Sequence, residues 1–385
     1  MKRLDPQKLK QNIESRIGDD IAAGRVGGAA VIVRQEGRVA YEGFFGSVVA
    51  PDMVLPTHDT PWRIASMTKP ITAVAVLQLV EQGKLSLDDR VDRYLPAYRS
   101  LFLCEQRGNE LICGARVGTP VTLWHLLTHT SGIGGGAIGS KQMRRMNDAQ
   151  RAFLREAVAY YAEAGLQFEP GSAVLYSGVP AFDVAAAIVE RVADCDFEDY
   201  LNRHIFDPCE MRDTTFSPSR DQWARLAVMH DYDGKRALIG KTYPGCVFED
   251  IPTSHTLGGA GLISTLRDYS NFSEMLLCEG EIFGRRVLSP KSVRQMATPQ
   301  VSFALQPKPR RWGLSVKVVT DKSYGILPVG AFGWSGAYGT HFWVDPANRI
   351  TAVYMKNSQY DGGGDAVTAN HFEEDVTSAL LGEEL

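Results

Sequence analysis

The chain has 385 residues, 44% of them hydrophobic and 22% charged, and a net charge of −4. That is enough apolar material for a sizeable core, and a length prior of about 150 residues per domain allows two or three units. With no basic block and no interleaving of Lys/Arg with aromatics, nucleic acid is not an expected partner. No run nears the roughly 18 apolar residues of a membrane span, so a membrane is not expected either.

In chain order, residues 7 to 23 carry an amphipathic helical pattern, and "GGAAVIVRQEGRVAYEGFFGSV" alternates about the turn "QEGR" as two antiparallel strands do. The N-terminal stretch lacks the run of roughly 7 to 15 apolar residues of a secretory signal, and a cytoplasmic location is the expectation. Residues 66 to about 300 read as helical segments with long loops, among them "AFDVAAAIVERV" and "YSNFSEMLL", and "GIGGGAIG" reads as a mobile Gly-rich loop. The last third returns to strand signals in "WGLSVKVV", "VGAFGWSG", "THFWVDP" and "RITAVYMKN", followed by a helix from about 365 to 381.

Neither strand set alone makes a sheet with both edges managed. The N-terminal hairpin is therefore expected to pair with the C-terminal strands. The fold class is α/β of the α+β type: an antiparallel sheet built from both chain ends, flanked by helices, with a mostly helical insertion and a cleft between the two parts. The six cysteines (Cys104, Cys113, Cys195, Cys209, Cys246, Cys278) contain no C-x-x-C, so reduced, mostly structural thiols are the expectation. Cys104 and Cys113 flank "EQRGNELI" and are placed to bridge a hairpin only in an oxidising setting.

The stretch "WRIASMTKPITA" sets Ser66 three residues before Lys69, where a polar entry becomes an apolar helix. Positions i and i+3 share a helix face, so both side chains point the same way. A serine hydroxyl needs a base to become a nucleophile, and an ammonium in a dry pocket either loses its proton or depresses a neighbour's pKa. Pro70 removes a helical N–H and disfavours helical geometry at Lys69, so the helix is expected to begin at or just before Ser66. The next residues, "ITAVAVLQLV", are apolar on nearly every side, the mark of a buried helix. Taken alone, the tetrad also describes a capped helix start with a solvent-facing lysine.

The longer stretch "RIASMTKPITAVAVLQLVEQGKLSLDDRVDRYLPAY" resembles the active-site segment of the serine β-lactamase-like proteins, which include class C β-lactamases, penicillin-binding carboxypeptidases and family VIII carboxylesterases. The likeness continues in order through "VTLWHLLTHTSGI", "FEPGSAVLYSGVPAFDVAAAIVERV", "YLNRHIFDPCEMRDTTF", "GGAGLISTLRDYSNFSEMLL" and "FGWSGAYGTHFWVDP". It spans roughly residues 25 to 360. The resemblance implies a single β-lactamase-like domain over 1–385, with an α/β subdomain at about 1–65 and 228–385 and a helical subdomain at about 66–227. It implies Ser66 as nucleophile, Lys69 as its lysine, and Tyr176 of "LYSG" as the tyrosine of a Y-x-N element. Two literal Y-x-N matches, Tyr200-Leu201-Asn202 and Tyr269-Ser270-Asn271, fall in predicted helices that match structural stretches of the family.

A tyrosine of ordinary pKa is only about one part in a thousand ionised at pH 7. Beside Lys69 its phenolate is expected to be favoured, so that Tyr176 takes the serine proton and Lys69 acts mainly as an electrostatic partner; which of the two removes the first proton stays open. The family's third element (K-T-G, H-x-G or W-x-G) reads Trp334-Ser335-Gly336, and the implied oxyanion hole is the pair of backbone N–H groups of Ser66 and Ala337. Gly336 lets that strand approach a substrate closely. The asparagine of Y-x-N is Gly178 and the lysine of K-T-G is Trp334, so the groups that hold a β-lactam's amide and carboxylate are missing. The implied substrate is a small neutral carboxylic ester, lined by Trp334, Ser335, Gly336 and Gly178 and hydrolysed through an acyl-enzyme. Competing readings are acyl transfer to an alcohol, the β-lactamase or D,D-peptidase branch, and an inactive binding protein of the same fold. No cofactor and no metal are implied, and the oligomeric state is open.

Three rival motifs point elsewhere. "GWSGA" nearly spells a G-x-S-x-G elbow, with Ser335 in the middle and His341 and His371 downstream, yet strand follows strand there and the last position is Ala. "GGGAIGSK" has G-S-K where a P-loop has G-K-S, and no strand precedes it. His125 and His129 have i, i+4 spacing without the Glu of H-E-x-x-H, so both are expected to be structural. Asp88 and Asp89 are expected on a solvated turn.

Overall fold

A computed structural model describes residues 1–49, 54–107, 110–135, 139, 143–232, 236–239 and 253–382 of the chain. Helix α1 (Pro6–Ala22) starts at Asp5, whose carboxylate accepts from the amides of Gln7 (2.9 Å) and Lys8 (3.1 Å) and satisfies two orphan donors. Its buried Leu9, Ile13 and Ile17 recur every four residues and face the sheet.

That sheet has seven strands drawn from the two ends of the chain. They are β1 (Gly28–Gln35), β2 (Arg38–Gly46), β3 (Arg310–Trp312), β4 (Lys317–Val319), β5 (Phe332–Ser335), β6 (His341–Asp345) and β7 (Ile350–Lys356). Their order is β3-β4-β5-β6-β7-β1-β2, each described pair antiparallel. The expected union of the N-terminal hairpin with the C-terminal strands is the β1–β7 ladder, which runs from Ala29 opposite Lys356 to Gln35 opposite Ile350. The stretch read as one strand, "WGLSVKVV", breaks in two: Ser315 at φ +69° and the Gly313 N–H bonded to Val316 O (2.9 Å) turn the chain between β3 and β4.

Alternation along the strands builds two cores. On β1, Ala29, Val31 and Val33 join Leu9, Ile13 and Ile17 of α1 and Phe372 and Val376 of α5 (Val367–Thr377). Ala30 and Ile32 face the other way, into a larger core with α2 (Thr68–Glu81), α3 (Pro180–Ala193) and α4 (Leu266–Leu277). A fully buried aliphatic side chain contributes about 1.5–3 kcal/mol, and α2 buries every residue from Thr68 to Leu79. The expectation of a buried helix there is met. Pro70 sits in its first turn, where a missing N–H costs nothing.

Two sequence expectations need correction. The stretch 66–300 contains a hairpin, Phe102–Arg107 with Glu110–Arg116, that was read as helix and loop. The second strand is exposed along almost its whole length, so no alternating apolar face announced it. Within the hairpin Cys104 lies directly opposite Cys113, and the two are joined by a disulfide; the reduced-thiol expectation fails for this pair because the register brings the sulfurs together. Cys195, Cys209 and Cys278 are free thiols, and Cys246 lies outside the described residues. Asp88 is exposed on a turn as expected, whereas Asp89 beside it is only partly exposed, accepting from Tyr94 Oη (2.7 Å) and Arg93 (2.9 Å). Residues 136–138 of "GIGGGAIG", and with them 140 and 141 of "GGGAIGSK", lie outside the described residues. No helix among the described residues is long and apolar enough to cross a membrane.

Candidate active site

Ser66 stands on a single 3₁₀ turn (Ala65–Met67) that leads into α2. The helix thus starts where the proline predicted. Ala65 holds φ +45°, a left-handed conformation rare for a residue with a Cβ, and the neighbouring contacts keep it there. Trp62 pairs with Ser264 in a short two-stranded ladder, Thr340 Oγ1 donates to Ile64 O (3.1 Å), and Tyr269 Oη donates to Met67 O (2.8 Å). Tyr269, one of the two misleading Y-x-N tyrosines, is a buried prop beneath the Ser66 turn. Tyr200 and Asn202 lie in the helical stretch 197–206, away from this turn.

Lys69 is completely buried. Its Nζ lies 3.0 Å from Ser66 Oγ, 2.6 Å from Gly178 O and 2.7 Å from Gly259 O. Two carbonyls consume two N–H bonds; the third position faces Ser66 and can donate as an ammonium or accept as a neutral amine. Burial decides between them by lowering the pKa of Lys69 to about 7, and the charge of Asp183 offsets only part of that fall. Asp183 is itself fully buried, 3.1 Å from Tyr161 Oη and 3.6 Å from His255 Nε2.

Tyr176 donates its hydroxyl to Ser66 Oγ at 2.6 Å and accepts from Trp334 Nε1 at 3.2 Å. Burial pushes its pKa up to about 12, a rise that its hydrogen bonds with Ser66 and Trp334 only partly oppose. The expectation of a favoured phenolate is therefore corrected. The phenol is enclosed by Trp334, Trp312 and His129, with ring centroids 5.3, 5.9 and 4.6 Å away, and this apolar cage disfavours the anion more than Lys69, halfway to neutrality itself, favours it.

The Trp334–Ala337 segment closes the opposite side. A Cβ added at Gly336 would lie 2.4 Å from Ile64 O, so only glycine lets this strand end meet the Ser66 turn. Gly178 is different: its carbonyl holds Lys69, yet a Cβ added there would meet nothing within 4 Å. The asparagine that the resemblance calls for would project into open space. Trp334 presents its indole to Tyr176, and the side chain of Ser335, on the alternate face of β5, turns away. Its expected place in a substrate lining is corrected by that alternation.

Ser335 heads a second polar chain. Its Oγ is 2.8 Å from His341 Nδ1, and His341 Nε2 is 3.1 Å from Glu373 Oε1 on α5. The elbow-like motif thus finds a histidine, His341, and an acid, Glu373, while His371 takes no part in this chain of bonds. The free space beside it, lined by Arg310, Lys317, Trp334 and Glu373, is about 10 Å³, barely room for one water and none for an ester. His125 and His129 also part company. His125 closes a capping box with Thr122, its Nδ1 accepting the Thr122 amide at 3.0 Å, whereas His129 is buried against Tyr176. Among the described residues no group of three or more His, Cys, Asp or Glu is placed to hold a metal ion.

Sequence reasoning did not find Gly259, Trp312 or Asp183, and it read His129 as structural without linking it to Tyr176. Each reaches the cluster from a different segment, and a lone carbonyl or a buried ring leaves no local pattern.

Comparison with known proteins agrees with this architecture. The beta-lactamase family model matches residues 11–374. Protein Rv1367c of Mycobacterium tuberculosis is 33% identical over 366 residues, covering 90% of each chain. Esterase EstB of Burkholderia gladioli is 29% identical over 387 residues, covering 93% of each. Among solved structures, EstCE1, described as a hydrolase with promiscuous acyltransferase activity, superposes with a TM-score of 0.78 at 23% identity, over 98% of this chain and 99% of its own. A family model spanning nearly the whole chain, a relative one-third identical over 90% of each chain and a seven-stranded sheet built from both ends converge: this chain belongs to the beta-lactamase family.

Proposed function

We propose that the protein is a serine hydrolase that cleaves small carboxylic esters through an acyl-enzyme on Ser66. The observation that carries this reading is the convergence of Lys69 Nζ (3.0 Å) and Tyr176 Oη (2.6 Å) on a single serine oxygen. The similarity to an esterase over 93% of the chain supports it.

In this reading Lys69, neutral in a large fraction of molecules near pH 7, takes the Ser66 proton as Oγ bonds to the ester carbonyl carbon. The carbonyl oxygen becomes an oxyanion held by the amides of Ser66 and Ala337, a device whose single donors are worth about 2.7–4 kcal/mol each. Collapse breaks the bond to the alcohol oxygen, which takes the proton of the Tyr176 hydroxyl, and the proton held by Lys69 restores the phenol. Water then repeats the sequence on the acyl-serine and releases the acid. Trp334 walls the site with an indole where a lysine would attract a carboxylate, so neutral esters are favoured and β-lactams are poor substrates. A second reading, delivery of the acyl group to an alcohol in place of water, draws on the acyltransferase activity described for the structural neighbour EstCE1.

One assay panel tests both readings: short and long nitrophenyl esters and a chromogenic cephalosporin, with wild type, Ser66→Ala and Tyr176→Phe, with and without added alcohol. Short esters are cleaved, the cephalosporin is turned over weakly or not at all, and Ser66→Ala keeps under about a thousandth of the rate. Full turnover by the alanine variant overturns the assignment. New ester appearing faster than free acid selects the transferase reading.

A further inference from the structure

One fully buried histidine outside the Ser66–Lys69–Tyr176 cluster grips the chain on both sides of the tyrosine. His129 holds φ +58°, uncommon for a residue with a Cβ. Its backbone C=O accepts the amide of Leu175 at 3.0 Å, and its ring Nδ1 accepts the amide of Ser177 at 3.2 Å. These are the two neighbours of Tyr176. The imidazole lies 4.6 Å from the Tyr176 ring and 4.3 Å from Trp312, which stacks on Tyr176 at an interplanar angle of 11°.

An Nδ1 that accepts from a backbone N–H has its single proton on Nε2, and that nitrogen meets no acceptor among the described residues. Burial, reinforced by the charges of Lys69 and Lys317, keeps the ring neutral far below the usual histidine range. A protonated ring would set N–H against N–H at Ser177 and release the grip. The buried and unpartnered nitrogen is a cost with no return in packing, since an apolar ring would fill the same space.

We infer that His129 is a positioning residue: by fixing the amides on either side of Tyr176 and packing on its ring, it aims the phenol at Ser66 Oγ and at the leaving oxygen. This rests on the ester-cleaving reading above. The aim matters most when the leaving group must be protonated. An ethyl ester expels a strongly basic alkoxide, whereas a nitrophenyl ester expels an oxygen that departs unprotonated, so a misdirected phenol penalises the ethyl ester more.

Asparagine places its amide where Nδ1 stands and tolerates left-handed φ, whereas glutamine reaches toward the Nε2 position and leaves the Ser177 amide unpaired. kcat and KM for ethyl and nitrophenyl acetate are measured for wild type, His129→Asn, His129→Gln, Tyr176→Phe and the double variant His129→Gln/Tyr176→Phe, alongside thermal melts. For His129→Gln the ethyl-to-nitrophenyl ratio of kcat falls at least about tenfold with KM nearly unchanged, and His129→Asn keeps the ratio within about threefold of wild type. In the Tyr176→Phe background the glutamine change lowers the ratio by less than about twofold, because both substitutions disable the same proton. Equal losses on both esters, an unchanged ratio in the glutamine variant, full additivity in the double variant, or failure of both His129 variants to fold would each show a purely structural residue and overturn the inference. If wild type cleaves neither ester, or Ser66→Ala cleaves both, the parent reading fails and takes the inference with it, an outcome separate from all of these.

Discussion

Two serines in this molecule each end a hydrogen-bonded chain, and the sheet separates their side chains. Ser66 meets a fully buried lysine and a caged phenol on one face of β5; Ser335 meets His341 and Glu373 on the other. By connectivity alone the second chain looks the better nucleophile, because serine, imidazole and carboxylate in sequence is a familiar catalytic order. Its surroundings say otherwise. Glu373 also meets Arg310 (3.5 Å) and Tyr324, and the space beside Ser335 admits no ester. Among the described residues around Ser66 no carboxylate pairs directly with Lys69; Asp183 acts only through space. Hydrogen-bond order alone does not make a nucleophile; in the reading proposed above, what favours Ser66 is a base left unquenched.

The sharpest way to break this contrast is to truncate each serine in turn. Ser66→Ala lowers turnover of a short nitrophenyl ester at least about a thousandfold, while Ser335→Ala lowers it by less than about tenfold, and similar losses from both would erase the distinction. Replacing the base comes next: Lys69→Met costs about 10²–10⁴ in kcat, the range for a lost general base, and a variant within tenfold of wild type would return the proton to Tyr176. Third is the pH profile. In the proposed mechanism Lys69 acts as the free amine, and with its pKa lowered to about 7, kcat/KM rises with pH through about 7 and then levels, with no alkaline limb until the phenol ionises near 12. An acid limb in the carboxylate range would assign the proton elsewhere. The smallest effect on rate belongs to Glu373→Gln, which leaves buried donors short of a charged acceptor: thermal denaturation should show a loss of about 1–3 kcal/mol of stability with turnover changed only severalfold.

The two chains also differ in how far the sequence disclosed them. Ser66 and Lys69 lie three residues apart on one helix face, so their partnership was local and legible. Tyr176 was found through ordered resemblance, since 110 residues of chain separate it from the serine it touches. The seven-stranded sheet could be inferred from both ends because its strands alternate in the ordinary way. His341 could be suspected as the partner of Ser335, six residues back, whereas Glu373 on a distant helix could not. The disulfide hairpin was visible only as a conditional cysteine pairing, because its outer strand is exposed along almost its whole length and carries no alternating apolar face. Charge states were the least legible. The sequence favoured a phenolate beside an ammonium; desolvation instead raises the phenol to about 12 and lowers the amine to about 7, a many-body effect that no spacing encodes.

Gly178 has a consequence for how such a chain diversifies. Its carbonyl anchors the buried amine, but its α-carbon faces vacant volume and its backbone avoids the left-handed region. A Cβ installed there meets nothing, so in the proposed reading, where Gly178 lines the substrate, this rim is free to drift while the proton-handling interior stays fixed. New preferences for acyl or alcohol groups need only a codon change at that rim.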